Sequence, residues 1–314
     1  MNQIRLGVLY GGEHFHRNIL PVISKIEKVN IVGIYSRSKK KYKNYPKSLY
    51  QSKNKILNNK NINTIYISSP NSFHTPNIIA ALKKNKNVIC EKPLCLSLKD
   101  YNKIIHLSSM TNKVVFEAFM FVYHDMSNYI FKVINKDKNK IKNISAKFMF
   151  PHIKRDNIRY KRKLGGGAFY DCACYLFKFL SLLKNYNDNI KKKPKIVYSK
   201  NFKVDTYGKF ITRMSDTKIN LEWGIGYKYI NQVVINFGNK KIIAERFFSK
   251  NVDNRSKIKL IFKNKNGIKI SWFKKQNHFR SMFLYYLKIL KSNKIRVNYR
   301  KELENYQNIF LTKI

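Results

Sequence analysis

The stretch YISSPNSFHTPNIIAALKKNKNVICEKPL, residues 66–94, decides the fold. Its first and last parts are apolar, and they end at Pro70 and Pro93, which predicts two buried strands. Between them, TPNIIAALKK has apolar residues at helical spacing, with Thr75 as the predicted N-cap and Pro76 at the first helical position. A strand, a helix and a second strand in close succession are typical of a parallel sheet.

The same alternation continues on both sides of this stretch. The segments IRLGVLY, NIVGIYS and KVVFEAF predict strands, and RNILPVISKIEK, SLYQSKNKILNN and SLKDYNKIIHLSSM predict helices. In the last helix, Ser97 is the predicted N-cap and Asp100 stands three residues later, as in a capping box. The first 121 residues therefore predict a doubly wound parallel sheet of the Rossmann type.

The second part of the chain has a different pattern. Between about Ile196 and Phe273, short alternating stretches such as NQVVINFG and KIKLIFKN are broken by Gly and Asn, and an amphipathic helix follows at FRSMFLYYLKILKSN. We therefore predict the α/β class, with a Rossmann domain at residues 1–121 and an α+β domain at residues 122–314 that carries a large, mostly antiparallel sheet.

The composition sets the class of protein. The chain has 314 residues, 44% of them hydrophobic, with no apolar run of membrane-spanning length and no signal-peptide pattern, so we expect a cytoplasmic protein without membrane contact. Its four cysteines do not have the spacing of a disulfide framework or a metal site, and we expect all of them to be buried. They are Cys90, Cys95, Cys172 and Cys174.

The net charge of +47, from 64 Lys and Arg against 17 Asp and Glu, allows two interpretations. It is typical of nucleic-acid binders, but the lysines are spread along the chain and no nucleic-acid recognition motif accompanies them. Lys, Asn, Ile and Tyr are enriched together, which favours the codon bias of an AT-rich genome. We therefore expect no specific nucleic-acid partner, although the charge would attract phosphorylated cofactors and nucleotide-linked substrates.

The turn after the first strand, GVLYGGEHFHRNILP, is a partial match to the dinucleotide-binding pattern G-x-G-x-x-G/A. Gly12 fits the second glycine, whereas Tyr10 and Phe15 stand at the positions of the first glycine and the last small residue. Gly11 would restore some flexibility to the turn. The alternative interpretation is an ordinary turn with two glycines.

The end of the second strand indicates which dinucleotide would bind. NAD enzymes tend to carry an acid there, whereas a 2'-phosphate favours Arg and hydroxyl groups. This chain has Ser36, Arg37, Ser38 and Lys39 and no acid. These residues favour NADP(H) over NAD(H), with Arg37 as the bidentate phosphate contact, unless they form an ordinary charged loop.

Four blocks together resemble the Gfo/Idh/MocA oxidoreductase family over nearly the whole chain. They are the glycine turn up to Pro21, the stretch 66–94 with its Glu-Lys-Pro, the segment FEAFMFVYHDM, and GGGAFYDCACY. The resemblance implies an NAD(P)-dependent oxidoreductase that acts on a sugar, a sugar derivative or a nucleotide-linked sugar. It also implies a cis bond before Pro93 and a homodimer or homotetramer formed through the sheet of the second domain.

The resemblance assigns roles to individual residues. Lys92 would polarise the substrate oxygen, Tyr175 would exchange a proton with it, and Asp171 would orient a substrate hydroxyl and Lys92. Asp171 and Tyr175 are four residues apart and would share one face of a helix. The implied cofactor contacts are Gly11, Gly12, Ser36, Arg37, Ser38, Pro70, Asn71, His74, Glu91 and Lys92, with His74 shaping the turn and Glu91 touching the cofactor or fixing the loop.

Other positions leave alternatives open. The glycine run lets backbone approach a substrate at Gly166, and His124 would contact the substrate unless it is a structural histidine. The family's usual pattern is changed at Val122, Asp125 and Ala173, and Tyr10 and Phe15 would crowd the pyrophosphate turn. These departures raise a second function, that of a catalytically degenerate family member acting as a nucleotide- or sugar-binding sensor or partner protein.

Overall fold

The computed structural model describes residues 3–36, 47–184, 192–250, 256–262 and 267–313. They form two compact units. The first contains Met1–Phe119 and Phe279–Leu303, and the second contains Met120–His278 and Glu304–Ile314. Among the described helices, none is both long enough and apolar enough to cross a membrane.

The first unit is built on a five-stranded parallel sheet with the strand order β2-β1-β3-β4-β5, as the sequence predicts for a Rossmann domain. Its central strands are buried on both faces, which explains their continuous apolar runs. All five carboxyl ends lie at one edge of this sheet. The strands are β1 (Ile4–Leu9), β2 (Val29–Tyr35), β3 (Thr64–Ile67), β4 (Asn87–Cys90) and β5 (Val115–Glu117).

The helices of this unit follow the predicted order with local differences. Ser97 caps its helix as predicted, because its Oγ accepts a hydrogen bond from Asp100 N at 3.1 Å. The prediction of Thr75 as an N-cap is wrong, since the helix already begins at His74 and has Phe73 as its N-cap. The elements are a π-helical turn (Phe15–Ile19), α1 (Leu20–Ile23), a 3-10 turn (Lys47–Leu49), α2 (Lys53–Asn58), α3 (His74–Lys83) and α4 (Leu98–Met110).

The second unit contains an eight-stranded sheet with the order β13-β12-β11-β10-β6-β9-β8-β7. Every neighbouring pair is antiparallel except β6 and β9, which confirms the predicted mostly antiparallel sheet. The strands are β6 (Asn143–Phe150), β7 (Lys195–Tyr198), β8 (Asp205–Met214), β9 (Thr217–Ile225), β10 (Ile230–Asn236), β11 (Lys240–Glu245), β12 (Lys257–Phe262) and β13 (Ile268–Trp272).

The remaining helices include one that the sequence analysis did not predict. It is the last helix of the chain, which follows the predicted amphipathic helix after a single residue. All four cysteines are buried, as predicted, and carry free thiols. The elements are α5 (Asp125–Lys136), a π-helical turn (Phe169–Ala173), α6 (Cys174–Ser181), α7 (His278–Lys291) and α8 (Asn293–Leu311).

Candidate active site

The turn after β1 is fixed at the carboxyl edge of the first sheet. Gly11 N donates to Tyr35 O at 2.8 Å, and Ser68 Oγ donates to Tyr10 O at 2.8 Å. The turn is therefore tied to the ends of both β2 and β3. Tyr10 has a φ of 62°, the left-handed conformation that glycine adopts most easily, at the position of the pattern's first glycine.

Tyr10 and Phe15 differ in what they do to this turn. Phe15 was expected to crowd the turn. Instead, it is fully buried and packs against Tyr66, with ring centroids 5.5 Å apart, so it fills the core beneath the turn. The helix there starts as a π-helical turn. The Tyr10 ring contacts Tyr35 edge-on at 5.1 Å and stacks near Phe73 at 6.2 Å, and these three aromatic rings form a cluster at the sheet edge.

The two glycines of the turn have different surroundings. A Cβ at Gly11 would lie 2.8 Å from the Ile34 side chain, so protein packing excludes a larger residue there. A Cβ at Gly12 would find Tyr10 O at 3.8 Å as its nearest neighbour. The space before Gly12 is thus open, as expected where a pyrophosphate approaches the backbone at the start of a helix.

The end of β2 is described only as far as Ser36, which is buried. Arg37 and Ser38, the predicted contacts of a 2'-phosphate, lie outside the described residues together with Lys39. Their assignment stays a prediction.

Pro70 is buried and starts a 3-10 turn in which Asn71 is half-buried, and Phe73 N donates to Pro70 O at 2.9 Å.

His74 joins two of the predicted cofactor loops. Its Nδ1 lies 2.7 Å from Pro93 O and its Nε2 lies 2.9 Å from Ser69 O. Burial lowers the pKa of His74, although the hydrogen bonds to these two carbonyl oxygens oppose the shift. This placement agrees with a residue that shapes the turn.

The Glu-Lys-Pro segment follows β4 directly, with a cis peptide bond between Lys92 and Pro93. The Glu91 carboxylate accepts a hydrogen bond from Tyr66 and lies 3.3 Å from His14 Nε2. Burial acts to raise the pKa of Glu91, but the charge and hydrogen bond of His14 and the hydrogen bond of Tyr66 outweigh it and lower the pKa. Of the two roles left open for Glu91, these contacts favour fixing the loop. Lys92 is half-buried beside it.

In the second unit, three glycines lead into the helix that carries Asp171 and Tyr175. Gly165 and Gly167 have φ values of 74° and 118°, which explains glycine at both positions. A Cβ at Gly166 would lie 2.5 Å from Arg159 O, so protein backbone already requires the glycine there. The predicted approach of substrate to Gly166 remains a prediction.

A buried carboxylate holds the start of this helix. Asp205, at the first position of β8, accepts a hydrogen bond from Phe169 N at 2.6 Å. Burial raises the pKa of Asp205 to about 6, although hydrogen bonds from the helix start oppose the shift. The following turn, Phe169–Ala173, is π-helical, and α6 continues from it. The site helix therefore does not keep α-helical spacing between Asp171 and Tyr175.

Asp171 forms an ion pair that the sequence analysis missed. Arg159 Nε donates to Asp171 Oδ2 at 2.6 Å. The pKa of Arg159 is raised, mostly by the charge of Asp171 and to a smaller degree by Cys172 and Tyr175. Arg159 thus holds the Asp171 carboxylate directly, and the roles predicted for Asp171 and Tyr175 stay predictions.

Tyr175 occupies an aromatic pocket of the second unit. Its side chain is 5% exposed, and its ring lies 5.3 Å from Phe148 and 5.9 Å from Phe121. Its hydroxyl contacts Met120 Sδ at 3.8 Å. Lys92, the third predicted catalytic residue, belongs to the other compact unit.

Protein groups engage both ring nitrogens of His124. Nδ1 accepts a hydrogen bond from Met126 N at 3.0 Å, and Nε2 lies 3.3 Å from Ser256 Oγ. Burial and the charge of Lys250 lower the pKa of His124 to about 3. These contacts favour the structural role that the sequence left open over a substrate contact.

Comparison with known proteins identifies the first unit. Residues 4–119 match the sequence profile of Gfo/Idh/MocA, an oxidoreductase family with an NAD-binding Rossmann fold. A dTDP-3,4-didehydro-2,6-dideoxy-alpha-D-glucose 3-reductase of Saccharopolyspora spinosa is 26% identical over 180 residues, 55% of this chain and 53% of that protein. A trans-1,2-dihydrobenzene-1,2-diol dehydrogenase of Xenopus laevis is 27% identical over 183 residues, 56% of this chain and 53% of that protein. The chain thus spans about half the length of the curated relatives it matches.

Similar solved structures extend over the whole chain. KijD10, a 3-ketoreductase from Actinomadura kijaniata in complex with TDP-benzene and NADP, superposes with a TM-score of 0.84 at 17% identity, over 100% of this chain and 97% of that chain. An aldose-aldose oxidoreductase from Caulobacter crescentus complexed with glycerol superposes with a TM-score of 0.78 at 15% identity, over 99% and 97% of the two chains. At these identities the likeness establishes the fold.

Proposed function

Because the chain belongs to the Gfo/Idh/MocA oxidoreductase family, we propose that it is an NADP(H)-dependent ketoreductase or dehydrogenase acting on a nucleotide-linked sugar. Support comes most directly from Asp171, whose carboxylate accepts a hydrogen bond from Arg159 Nε at 2.6 Å in the helical turn that leads into the helix of Tyr175. A carboxylate that accepts hydrogen bonds and a phenol that carries a proton suit a reaction that orients one sugar hydroxyl and moves a proton at a neighbouring oxygen.

The first unit has residues that fit a dinucleotide. The open space at Gly12 would admit the pyrophosphate, and the turn at Pro70 and Asn71 lies at the same carboxyl edge of the sheet. Ser36 and Arg37, with no acid at the end of β2, would take the 2'-phosphate of NADP(H). When bound, the nicotinamide would supply or accept the hydride.

The chain's own residues would carry the proton chemistry. Lys92 would donate a hydrogen bond to the substrate oxygen and polarise it. In reduction, Tyr175 would give its phenolic proton to that oxygen while the C–H bond forms, and in oxidation it would take the proton back. Asp171 would accept a hydrogen bond from a neighbouring sugar hydroxyl and so fix the sugar's orientation.

A nucleotide-linked sugar is the substrate class that charge and relatives favour. The relative from Saccharopolyspora spinosa is named for a dTDP-linked keto sugar. The net charge of +47 would raise the local concentration of a diphosphate-bearing substrate over that of a neutral sugar. We therefore place dTDP-linked keto sugars first among the substrates to test.

Tyr10 supports a second candidate function. A bulky residue in the left-handed conformation, with its ring packed against Tyr35 and Phe73, replaces the pattern's first glycine. If this cluster excludes the dinucleotide, the protein would act as a sugar- or nucleotide-binding sensor without turnover. Binding of NADPH separates the two functions.

The test compares wild type with Tyr175→Phe in NADPH and NADH consumption on a dTDP-linked keto sugar, at physiological salt to suppress non-specific anion binding. We expect wild type to prefer NADPH and the variant to lose turnover by about 10²- to 10⁴-fold, as for the loss of a general acid. NADPH titration should give wild-type affinity for the variant, because Phe fills the same aromatic pocket.

Tyr129→Phe is the matched control, since Tyr129 is 37% exposed on α5 and should leave turnover unchanged. Turnover by Tyr175→Phe at the wild-type rate would remove Tyr175 from the mechanism. If wild type binds neither nucleotide, the oxidoreductase proposal is wrong and the sensor function replaces it.

A further inference from the structure

Arg159 contacts the candidate site with both its side chain and its backbone. Its Nε donates to Asp171 Oδ2 at 2.6 Å, and its carbonyl oxygen accepts a hydrogen bond from Gly167 N at 2.8 Å. One residue thus holds both the glycine run and the carboxylate that follows it. Arg159 itself lies in the 3-10 turn Ile158–Tyr160, outside the blocks that resemble the family.

The loop around Arg159 is built to keep it in place. Asn157 caps the 3-10 turn, because its Oδ1 accepts a hydrogen bond from Arg159 N at 3.1 Å. Gly166 permits the close approach of the two segments, since a Cβ there would lie 2.5 Å from Arg159 O. The glycine at 166 is therefore explained by the backbone of Arg159, which fixes the distance from this loop to the site helix.

The ion pair is partly shielded from water. The Asp171 side chain is 14% exposed and the Arg159 side chain is 38% exposed. A charge-assisted hydrogen bond of this length is stronger than one between neutral groups. An ionised carboxylate only accepts hydrogen bonds, so the pair suits Asp171 to receive a substrate hydroxyl.

We propose that Arg159 is a positioning residue of the active site, which aims Asp171 at a substrate hydroxyl. This inference rests on the proposed function, because Asp171 has this role only if a sugar is turned over. Neither Lys nor Gln can replace Arg159 fully, since Lys lacks the planar guanidinium and Gln lacks the charge.

A double-mutant cycle tests whether Arg159 acts through Asp171. With NADPH and a dTDP-linked keto sugar, we expect Arg159→Gln to lower kcat by about 10²-fold while the KM for NADPH stays unchanged. In the Asp171→Asn background, the same change should cost less than about threefold, because its partner is already lost. Arg159→Lys should recover part of the activity.

Two readouts separate positioning from a merely structural role. The pH at which kcat/KM is half-maximal should move upward in Arg159→Gln, since the Asp171 carboxylate is harder to form without the cation at 2.6 Å. By calorimetry, dTDP-glucose should bind wild type more tightly than dTDP, and Arg159→Gln should lose this difference while binding dTDP normally. Arg162→Gln, at an exposed position of the same loop, is the control with the same change in charge.

Full additivity of Arg159→Gln and Asp171→Asn, with an unchanged pH profile, would overturn the inference and leave the proposed function intact. A wild-type protein that neither binds dTDP-glucose nor consumes NADPH would overturn the proposed function and this inference with it.

Discussion

At the scale of single residues, the second unit contains a buried cation that the proposed chemistry does not use. Lys250 Nζ is inaccessible to solvent and has no hydrogen-bond partner among the described residues. Burial lowers the pKa of Lys250 from 10.5 to about 7. His124 and His278 interact with its charge, and burial lowers the pKa of each to about 3. Both rings are therefore neutral at pH 7 and supply no negative charge to balance Lys250. The buried ammonium of Lys250 therefore lowers the stability of the native state relative to an apolar side chain at this position.

We predict that Lys250→Met raises the free energy of unfolding at pH 7 by roughly 1 to 3 kcal/mol. In wild type, the unfolded chain keeps the proton up to pH 10.5 whereas the folded chain releases it near 7. Wild-type stability should therefore rise with pH from about 7 to about 10, and the variant should lose this rise. Urea unfolding at pH 7 and pH 9 measures both effects.

Lys200→Met, at an exposed position of the same unit, is the control and should keep the wild-type pH dependence. An equal rise with pH in Lys250→Met and wild type would show that Lys250 is solvated in solution.

At the scale of elements, the strands were the most predictable part of the chain. All five strands of the first sheet agree with the sequence, because their apolar runs are set by burial on both faces. The π-helical turns were not predictable, since they depend on how large residues such as Phe15 pack. Helix α8 was missed although its apolar residues recur every three or four positions. They are Tyr299, Leu303, Tyr306 and Phe310.

The candidate site was predictable only where a motif fixed it. Lys92, Asp171 and Tyr175 stand in motifs, whereas Arg159 is one of 64 basic residues and no local pattern distinguishes it. Its role follows from a contact across twelve residues, which depends on tertiary structure. The same holds for Asp205, which holds the site helix from a strand far along the chain.

The two glycines after β1 give an element-scale prediction. Gly12→Ala should fold like wild type, because its Cβ meets no atom closer than 3.8 Å, but it should weaken NADPH binding at least tenfold by blocking the pyrophosphate. Gly11→Ala should destabilise the fold by about 1 to 3 kcal/mol, since its Cβ would lie 2.8 Å from Ile34. Thermal unfolding and NADPH titration of both variants measure this contrast.

Each glycine variant serves as the control for the other. NADPH affinity of Gly12→Ala equal to that of wild type would mean that the pyrophosphate does not bind at this turn.

At the scale of the whole molecule, the outer strand β13 exposes apolar side chains on one face. Ile268, Ile270 and Trp272 alternate along the strand and are 63%, 45% and 58% exposed. An exposed apolar edge strand favours association. This exposed strand supports the homodimer or homotetramer through the sheet that the family resemblance implies.

We predict that wild type sediments as a dimer or tetramer and that Ile270→Glu combined with Trp272→Glu yields monomer, because buried carboxylates would oppose the apolar contact. Sedimentation velocity at physiological salt measures the mass. Met110→Glu, at a 71% exposed position at the end of α4, is the control and should keep the wild-type mass. A monomeric wild type would contradict the prediction.

The π-helical turn Phe169–Ala173 has an evolutionary consequence. A π-helical turn is an α-helix that has accepted one inserted residue, and the insertion rotates everything before it by about 100° relative to everything after it. Asp171 lies within the inserted turn and Tyr175 lies beyond it. Deleting a single residue there would swing the carboxylate to another side of the helix while the phenol stays in place. If Asp171 binds a sugar hydroxyl as proposed, a one-residue deletion in this turn would change which hydroxyl it reaches, a change that a substitution does not reproduce.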